Sequence, residues 1–180
     1  MADSLHLWLI RHGQTEANAR HEFSGWIDVA LTDQGRDEAR ALGPRLAPEP
    51  FDGVWSSDLQ RAVHTARLAH SEPRQDRRLR EMNFGLLEGR TWDNADEALR
   101  RGLQDFQRFD APQGETAVEF HARLDEFFGE LTRGRHLIFT HGGVIRALTG
   151  PLGHDRFMQT GEIAVVDWTA RKVLQILEKP

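Results

Sequence analysis

Two histidines directly follow short apolar segments of the chain. Leu5–Ile10 leads into Arg-His-Gly at positions 11–13, and His136–Thr140 leads into His-Gly-Gly at positions 141–143. Both segments have the length and apolar content that are typical of buried strands. In a parallel α/β sheet, ligands bind outside the carboxyl ends of the strands. We therefore expect His12 and His141 to lie close together at one edge of such a sheet.

The residue types near these two positions suit the transfer of a phosphoryl group. A phosphoryl group carries negative charge, which guanidinium groups, protonated imidazoles and helix N-termini can neutralise. Arg11 and Arg61 are candidates to clamp the phosphate, and His12 is the candidate nucleophile. His141 would be a further donor, beside the free N–H groups of a helix expected to begin at Gly142.

Phosphoryl transfer also needs an acid that protonates the departing oxygen. The residue types leave four candidates open, which are Glu16, Asp58, Glu81 and Glu88. The sequence contains no cysteine and no tyrosine, so a thiolate nucleophile and a phenolic acid are excluded.

Composition limits the class of protein. The chain has 180 residues, of which 39% are hydrophobic and 28% charged, and its net charge is −5. These are ordinary values for a globular protein, and we expect one domain over residues 1–180. The charge does not favour nucleic-acid binding, and no apolar run reaches the ~20 residues of a membrane span. No secretory signal is evident, so a cytoplasmic enzyme is expected.

Helical patterns occur between the apolar segments. Thr32 is a candidate N-cap for a helix at 33–46, in which Gly43-Pro44 predicts a kink or an end. Capping boxes that begin at Ser57 and Thr116 predict helices at 58–70 and from about 117 to 131. A further helix is expected at 142–152, and one or two short helices at 91–109, interrupted near Gly102. Residues 14–30 are expected to form a loop.

Strands are expected between these helices. Besides the two that end at the histidines, the sequence predicts strands at 51–56, 163–168 and 173–177, of which the last two form an antiparallel pair. Alternating strands and helices are typical of a parallel sheet covered by helices. We therefore predict a three-layer α/β/α fold, with a mostly parallel sheet and an antiparallel edge strand.

Four sequence blocks carry a family resemblance. They are RHGQT at 11–15 with Asn18, SSDLQRA at 56–62, LREMNFG at 79–85 with Glu88, and THGG at 140–143. In this order they resemble the histidine phosphatase superfamily, which includes phosphoglycerate mutases and short bacterial phosphatases such as α-ribazole phosphatase. The resemblance covers the chain from Leu5 to about Leu148. It implies a phosphoglycerate mutase-like fold with a cap insertion at about 82–115.

The resemblance also implies a role for each catalytic residue. His12 would become transiently phosphorylated, and Glu81 would donate the proton. Arg11, Arg61 and His141 would hold the phosphate. The family needs no metal or other cofactor, and the nine histidines show no metal-ligand spacing.

Three further residues are candidates for substrate contact. The resemblance implies that Asn18 assists in binding the phosphate. Gly142 adjoins the second histidine, at the expected helix N-terminus. Trp26 follows the signature loop and could line the mouth of the site, but a packing role suits it equally.

Three functions are compatible with such a site, whose expected ligand is a small phosphorylated metabolite. The first is a phosphomonoesterase, the second a cofactor-dependent phosphoglycerate mutase, and the third a non-catalytic module that binds phosphorylated ligands. The third is disfavoured because no catalytic residue is missing. Mutases of the family carry a long insertion between the acid and the second histidine. The short segment between Glu81 and His141 here implies a site open to water, and therefore hydrolysis.

Protein partners and surface charges are less defined. An antiparallel strand at the edge of the sheet could pair between subunits, which would give a homodimer. Two pairs of arginines have no assigned role. Solvated charge is the expected state of both pairs, and binding of an acidic substrate tail is the alternative; the residues are Arg77, Arg78, Arg100 and Arg101.

Overall fold

A six-stranded mixed sheet forms the centre of the computed structural model, which describes residues 4–180. Its order is β3-β2-β4-β1-β5-β6, and the first four of these strands are parallel. β5 is antiparallel to β1, and β6 is antiparallel to β5. The strands are β1 (Leu5–Arg11), β2 (Gly53–Ser56), β3 (Arg74–Gln75), β4 (Gly134–Thr140), β5 (Ile163–Asp167) and β6 (Lys172–Leu177).

Helices cover both faces of this sheet. On one face, Leu42 and Ala66 pack against Leu137 and Phe139 of β4, whereas Ile138 of the same strand faces the other core. The predicted three-layer fold is therefore confirmed. The helices are α1 (Glu16–Ala19), α2 (Asp33–Leu46), α3 (Gln60–Ala69), α4 (Glu97–Gln104), α5 (Ala117–Glu130) and α6 (Gly142–Thr149).

Two of the predicted N-caps form as expected. The Thr32 hydroxyl accepts a hydrogen bond from the Gly35 N–H and caps α2, which continues through Pro44 to its end at Leu46. Thr116 caps α5 in a capping box with Glu119. Pro44 therefore does not end α2 early.

The predicted start of α3 is wrong. The Ser57 hydroxyl accepts from the N–H of Leu59, two residues on, and α3 begins at Gln60. The Gln60 N–H donates instead to the Asp28 carboxylate at 2.8 Å. Because a distant loop satisfies this N–H, the local capping box is not used.

Other boundaries also differ from the sequence prediction. The expected loop at 14–30 contains α1. Thr15 and Asn18 form a capping box at the N-terminus of this helix. Gly102 lies within α4 and does not interrupt it. α6 ends at Thr149, and a 3₁₀ turn continues to Leu152.

β6 forms one edge of the sheet, as the antiparallel pattern predicted. Pairing of this edge between two subunits stays a prediction. Within residues 4–180, no helix combines the length and hydropathy that crossing a membrane requires.

Candidate active site

Strand pairing brings the two histidines together. β1 and β4 run parallel, and Arg11 lies opposite Thr140. The residues that follow them, His12 and His141, therefore leave the sheet at the same edge. The His12 N–H donates to the Thr140 carbonyl at 3.0 Å. The two imidazole centroids are 5.2 Å apart, with the rings inclined at 63°. The convergence expected from the sequence is therefore present in the structure.

The His12 ring is held in one tautomer. Its Nδ1 lies 2.8 Å from the carbonyl oxygen of Gly13, which can only accept a hydrogen bond. Nδ1 therefore carries the proton, and Nε2 carries the free electron pair. Burial, together with Arg61 and Arg11, holds the His12 pKa well below its usual 6.5. The imidazole is thus neutral, as a nucleophile must be.

The turn after His12 depends on close backbone contacts. A Cβ on Gly13 would lie 2.2 Å from the Gly35 carbonyl oxygen, so no larger residue fits at this position. The Gly13 N–H donates to the Thr65 hydroxyl at 3.0 Å, and that hydroxyl donates to the Arg61 carbonyl. Thr65 therefore ties the histidine turn to α3.

Arg61 projects from the first turn of α3 into a ring of backbone carbonyls. Its two terminal nitrogens donate to the carbonyls of Ile27 (2.9 Å), Gly25 (2.8 Å) and Ser24 (3.2 Å). The side chain is fully buried, and burial lowers its pKa to about 10. The guanidinium is still charged at neutral pH, and its position is fixed before any ligand arrives.

Four buried side-chain nitrogens in the described part of the chain have no hydrogen-bond partner. They are Nε of Arg11, Nε of Arg61, and both ring nitrogens of His141. Leaving a buried polar group unsatisfied costs about 1–3 kcal/mol, and more for a charged group. All four belong to residues predicted to hold the phosphate. A bound oxyanion would accept from the Nε–H groups of Arg11 and Arg61 and from the one N–H of the neutral His141 ring.

His141 lies deeper than its partner. It is fully buried at the N-terminus of α6 and does not itself line the cavity, whereas His12 and Gly142 do. Burial, with further effects from Arg61 and His12, lowers the His141 pKa well below its usual value. The ring is therefore neutral and can donate a hydrogen bond from only one of its two nitrogens.

Glu81 is held against the start of α6. Its Oε2 accepts from the Gly143 N–H at 2.8 Å, and its Oε1 accepts from the Met82 N–H at 2.9 Å. A Cβ on Gly143 would lie 2.1 Å from Oε1 of Glu81, so a larger residue at this position would displace the carboxylate. Burial raises the pKa of Glu81, although the two N–H groups oppose this shift. A raised pKa suits a group that must be protonated at the start of the reaction.

The other three candidate acids have different environments. Glu16 is exposed on α1. Asp58 is paired with Arg80 at 2.6 Å. Glu88 binds three backbone N–H groups, those of Trp26 (2.7 Å), Ile27 (2.8 Å) and Phe84 (3.2 Å). Of the four, Glu81 alone lines the cavity.

Glu88 fixes the loop that carries the Arg61 carbonyl ring. Replacing Glu88 with glutamine is expected to lower the free energy of unfolding by about 1–3 kcal/mol. The glutamine N–H₂ would face a backbone N–H, so two donors would meet and neither would have an acceptor. Urea unfolding measures this effect, and kcat/KM is expected to fall with it because the loop positions Arg61. Glu16→Gln is the matched control and should leave both quantities close to those of the wild type. Equal stability of the two variants would contradict this role.

The three candidate substrate contacts have different positions. Asn18 lines the cavity, and its carboxamide oxygen accepts from both Thr15 donors, which leaves its N–H₂ for a ligand. Gly142 also lines the cavity. Trp26 does not: its indole N–H donates to the Glu81 carbonyl at 2.9 Å, under the Arg80 guanidinium. The substrate contact predicted for Trp26 is therefore replaced by a packing role.

The arginine pairs also lie away from the cavity. Arg78 pairs with Asp76 and Glu130, and Arg101 pairs with Glu97. Arg100 donates to the carbonyls of Ala95 and Asp93. Arg77 is exposed.

Sequence reasoning missed one arginine that supports the acid. Arg123 of α5 donates to the carbonyls of Arg78 (2.6 Å), Arg80 (2.8 Å) and Glu81 (2.8 Å), and it pairs with Glu115. It therefore fixes the backbone from which the Glu81 side chain extends. No local motif marks it, because its partners are backbone atoms about 40 positions earlier in the chain.

The cavity in front of His12 has a volume of about 850 Å³. The phosphate-binding candidates line one part of it, and residues from the predicted cap, such as Phe84, Trp92 and Leu103, line another. Among residues 4–180, no three His, Asp or Glu side chains are grouped so that they could hold a metal ion.

The two buried histidines make stability depend on pH. Their pKa values are lowered in the folded state, so between the folded value and 6.5 the unfolded chain binds more protons. The free energy of unfolding is therefore fully present above pH 6.5 and falls as the pH drops below it. The expected slope is up to about 1.4 kcal/mol per pH unit for each histidine.

Urea unfolding in phosphate-free buffer between about pH 7.5 and 5.5 measures this slope, since few carboxylates titrate there. His141→Asn removes one of the two histidines, so the slope is expected to lose the contribution of that histidine. This expectation does not depend on the absolute stability of the variant. A slope unchanged in this variant would contradict the assignment.

The comparisons with known proteins agree with this geometry. A sequence profile of the histidine phosphatase superfamily (branch 1) matches residues 7–176. The chain belongs to this superfamily.

Relatives within the superfamily carry two kinds of name. The adenosylcobalamin/alpha-ribazole phosphatase of Salmonella typhimurium is 35% identical over 82% of this chain and 79% of its own length. The 2,3-bisphosphoglycerate-dependent phosphoglycerate mutase 2 of Gloeobacter violaceus is 34% identical over 82% and 75%. The crystal structure of a phosphoglycerate mutase from Thermus thermophilus is 40% identical, with a TM-score of 0.90 over 98% of this chain and all of that one.

Proposed function

We propose that this protein hydrolyses phosphate monoesters of small metabolites through a phosphohistidine at His12. The observation that carries the proposal is the set of unpartnered buried nitrogens beside the neutral imidazole. Arg11, Arg61 and His141 would bind the phosphoryl oxygens, with Asn18 assisting at the cavity wall. The chain would then be a phosphoric monoester hydrolase of the histidine acid phosphatase type, similar to α-ribazole phosphatase.

In the first step, Nε2 of His12 attacks phosphorus and forms an N–P bond. The P–O bond to the leaving group breaks, and its electron pair stays on the leaving oxygen. Protonated Glu81 gives its proton to that oxygen, which departs as an alcohol. The raised pKa of Glu81 supports this role because it keeps the acid protonated at higher pH. General acid catalysis of this kind contributes roughly 10²–10⁴-fold.

In the second step, water attacks the phosphohistidine. Ionised Glu81 takes a proton from the water, whose oxygen forms a new bond to phosphorus. The N–P bond breaks, its electron pair returns to Nε2, and inorganic phosphate leaves. Glu81 is then protonated again, as the next cycle requires.

Access of water favours hydrolysis over return of the phosphoryl group to substrate. The segment between Glu81 and His141 is short, and the cavity retains a solvent-exposed rim. Trp92 and Phe157 both line the cavity and remain 39% and 37% exposed. The named phosphatase among the relatives supports the same function.

Phosphoglycerate mutase activity is the second candidate. It is favoured by the relatives that carry this name and match the chain at 34% and 40% identity. The first step would be the same, but the phosphoryl group would pass to a hydroxyl of the substrate instead of to water.

Two assays on the purified protein separate these functions. The first measures phosphate release from p-nitrophenyl phosphate and from alkyl phosphates, and the second measures mutase turnover primed with 2,3-bisphosphoglycerate. We expect phosphate release to be much the faster activity. Strong mutase turnover with negligible hydrolysis would establish the alternative, and the absence of both activities would leave a binding module.

A further inference from the structure

We infer that the cavity holds a second subsite, which takes an uncharged aromatic or apolar leaving group and disfavours an acidic one. This inference deepens the proposed function and rests on its phosphate site. The subsite is an aromatic ledge formed by Phe23, Phe84 and Trp92, all of which line the cavity.

Phe23 packs against the other two rings of the aromatic ledge. The centroid of Phe23 lies 5.3 Å from that of Phe84 and 6.3 Å from that of Trp92. Trp92 is 39% exposed, so part of its indole is available to a ligand. Aromatic faces of this kind gain contact energy and apolar burial when a planar or apolar group stacks on them.

Backbone hydrogen bonds hold the aromatic ledge in place without a ligand. The Phe23 N–H donates to the Arg90 carbonyl at 3.0 Å, and the Gly89 N–H donates to the Phe23 carbonyl at 2.8 Å. The Trp92 N–H donates to the His21 carbonyl at 3.0 Å. The ledge is therefore pre-formed, which reduces the entropy lost when a ligand binds.

The aromatic ledge is continuous with the phosphate clamp, which consists of the guanidinium groups of Arg11 and Arg61. Ser24 and Gly25, whose carbonyls hold the Arg61 guanidinium, directly follow Phe23 in the chain. A Cβ on Gly25 would lie 2.8 Å from the backbone nitrogen of Phe84, so these two segments are in close contact. A group attached to a bound phosphate would therefore reach the ledge.

The charges around the cavity disfavour an acidic leaving group. In the part of the chain that the structure describes, each arginine or lysine lining the cavity outside the phosphate clamp has a carboxylate partner. The pairs are Arg146 with Asp155, Arg156 with Glu162 at 3.0 Å, and Lys179 with Glu38 at 3.6 Å.

Arg146 is the most constrained of these cations. Its terminal nitrogens donate to the carbonyls of Leu103 (2.8 Å) and Gln104 (2.7 Å), and its guanidinium packs on Phe157. A carboxylate on the leaving group would have to displace such contacts or remain unpaired among acidic side chains. Either outcome costs binding energy.

Binding of matched phosphonates tests the subsite independently of turnover. 2-Phenylethylphosphonate and 3-phosphonopropanoate share the same two-carbon phosphonate, and one carries a phenyl ring where the other carries a carboxylate. Isothermal titration calorimetry of the wild-type protein is expected to give a Kd at least about tenfold lower for the phenyl compound. Equal affinities, or tighter binding of 3-phosphonopropanoate, would overturn the inference whatever the protein hydrolyses.

A pair of variants locates the preference. Trp92→Ala is expected to weaken binding of 2-phenylethylphosphonate about five- to tenfold more than binding of 3-phosphonopropanoate. Leu174→Ala removes a similarly exposed apolar side chain from β6, away from the cavity, and is expected to leave the ratio of the two Kd values unchanged. An equal effect of Trp92→Ala on both compounds would refute the aromatic ledge as the source. Failure of His12→Ala to abolish phosphate release would refute the proposed function and leave the binding ratio standing.

Discussion

Replacing His12 with alanine is expected to lower the turnover number for phosphate release by about 10⁴-fold or more. The variant retains Arg11, Arg61 and Glu81 but lacks Nε2 of His12, the proposed nucleophile. Loss of a catalytic nucleophile typically has an effect of this size or larger. Steady-state assays with p-nitrophenyl phosphate measure it.

The same variant is expected to remain folded and to bind inorganic phosphate. Its unfolding curve should show a single transition, and calorimetry should still detect phosphate because the two guanidinium groups remain. His64→Ala is the matched control, since it removes an exposed imidazole from α3. Turnover of the folded His12 variant within about tenfold of the wild type would identify the nucleophile as another residue.

Replacing Glu81 with glutamine is expected to lower kcat/KM for an alkyl phosphate about 10²–10⁴-fold. Glutamine matches the carboxyl group in size, although its N–H₂ would face one of the two backbone N–H groups that Glu81 binds. It cannot donate a proton to the departing oxygen. An alkoxide needs that proton, whereas p-nitrophenolate leaves readily without it. The loss should therefore be smaller for p-nitrophenyl phosphate, and parallel assays of both esters give the comparison.

The pH profile of this variant supplies a second test. Because burial raises the pKa of Glu81, the acid stays protonated above the usual range of a glutamate, and activity falls when it ionises. kcat/KM for the alkyl ester is thus expected to rise as His12 loses its proton, below pH 6.5, and to fall as Glu81 ionises. Glu81→Gln should remove the Glu81-dependent part of the fall. A falling limb that is identical in both proteins would assign it to another group.

The convergence of the two histidines is predictable because it depends on local patterns. Short apolar segments identify β1 and β4, and parallel pairing places whatever follows them at one edge. The position of Arg61 near a helix N-terminus is predictable for the same reason, although α3 begins later than expected. The choice of Glu81 among four carboxylates depends on the family resemblance, since residue types alone leave the alternatives open.

The supporting contacts are not predictable from local sequence. Asp28 supplies the first N–H partner of α3 from a loop about 30 positions earlier, so the Ser57 capping box is not formed. Glu88 looks like a candidate acid in the sequence, yet its carboxylate is occupied by backbone N–H groups. Trp26 resembles a rim residue and instead binds the Glu81 carbonyl. In each case the deciding partner is distant in the chain.

The most direct test of the account is to identify the atom that carries the phosphoryl group during turnover. The wild-type protein is mixed with excess p-nitrophenyl phosphate, quenched in alkali within the first turnovers, and examined by proteolysis and by ³¹P–¹H NMR. We expect an acid-labile, alkali-stable phosphoryl group on Nε2 of His12, because Nδ1 is bound to the Gly13 carbonyl. Steady hydrolysis with the phosphoryl group on Nδ1, on another side chain, or on no residue would contradict it.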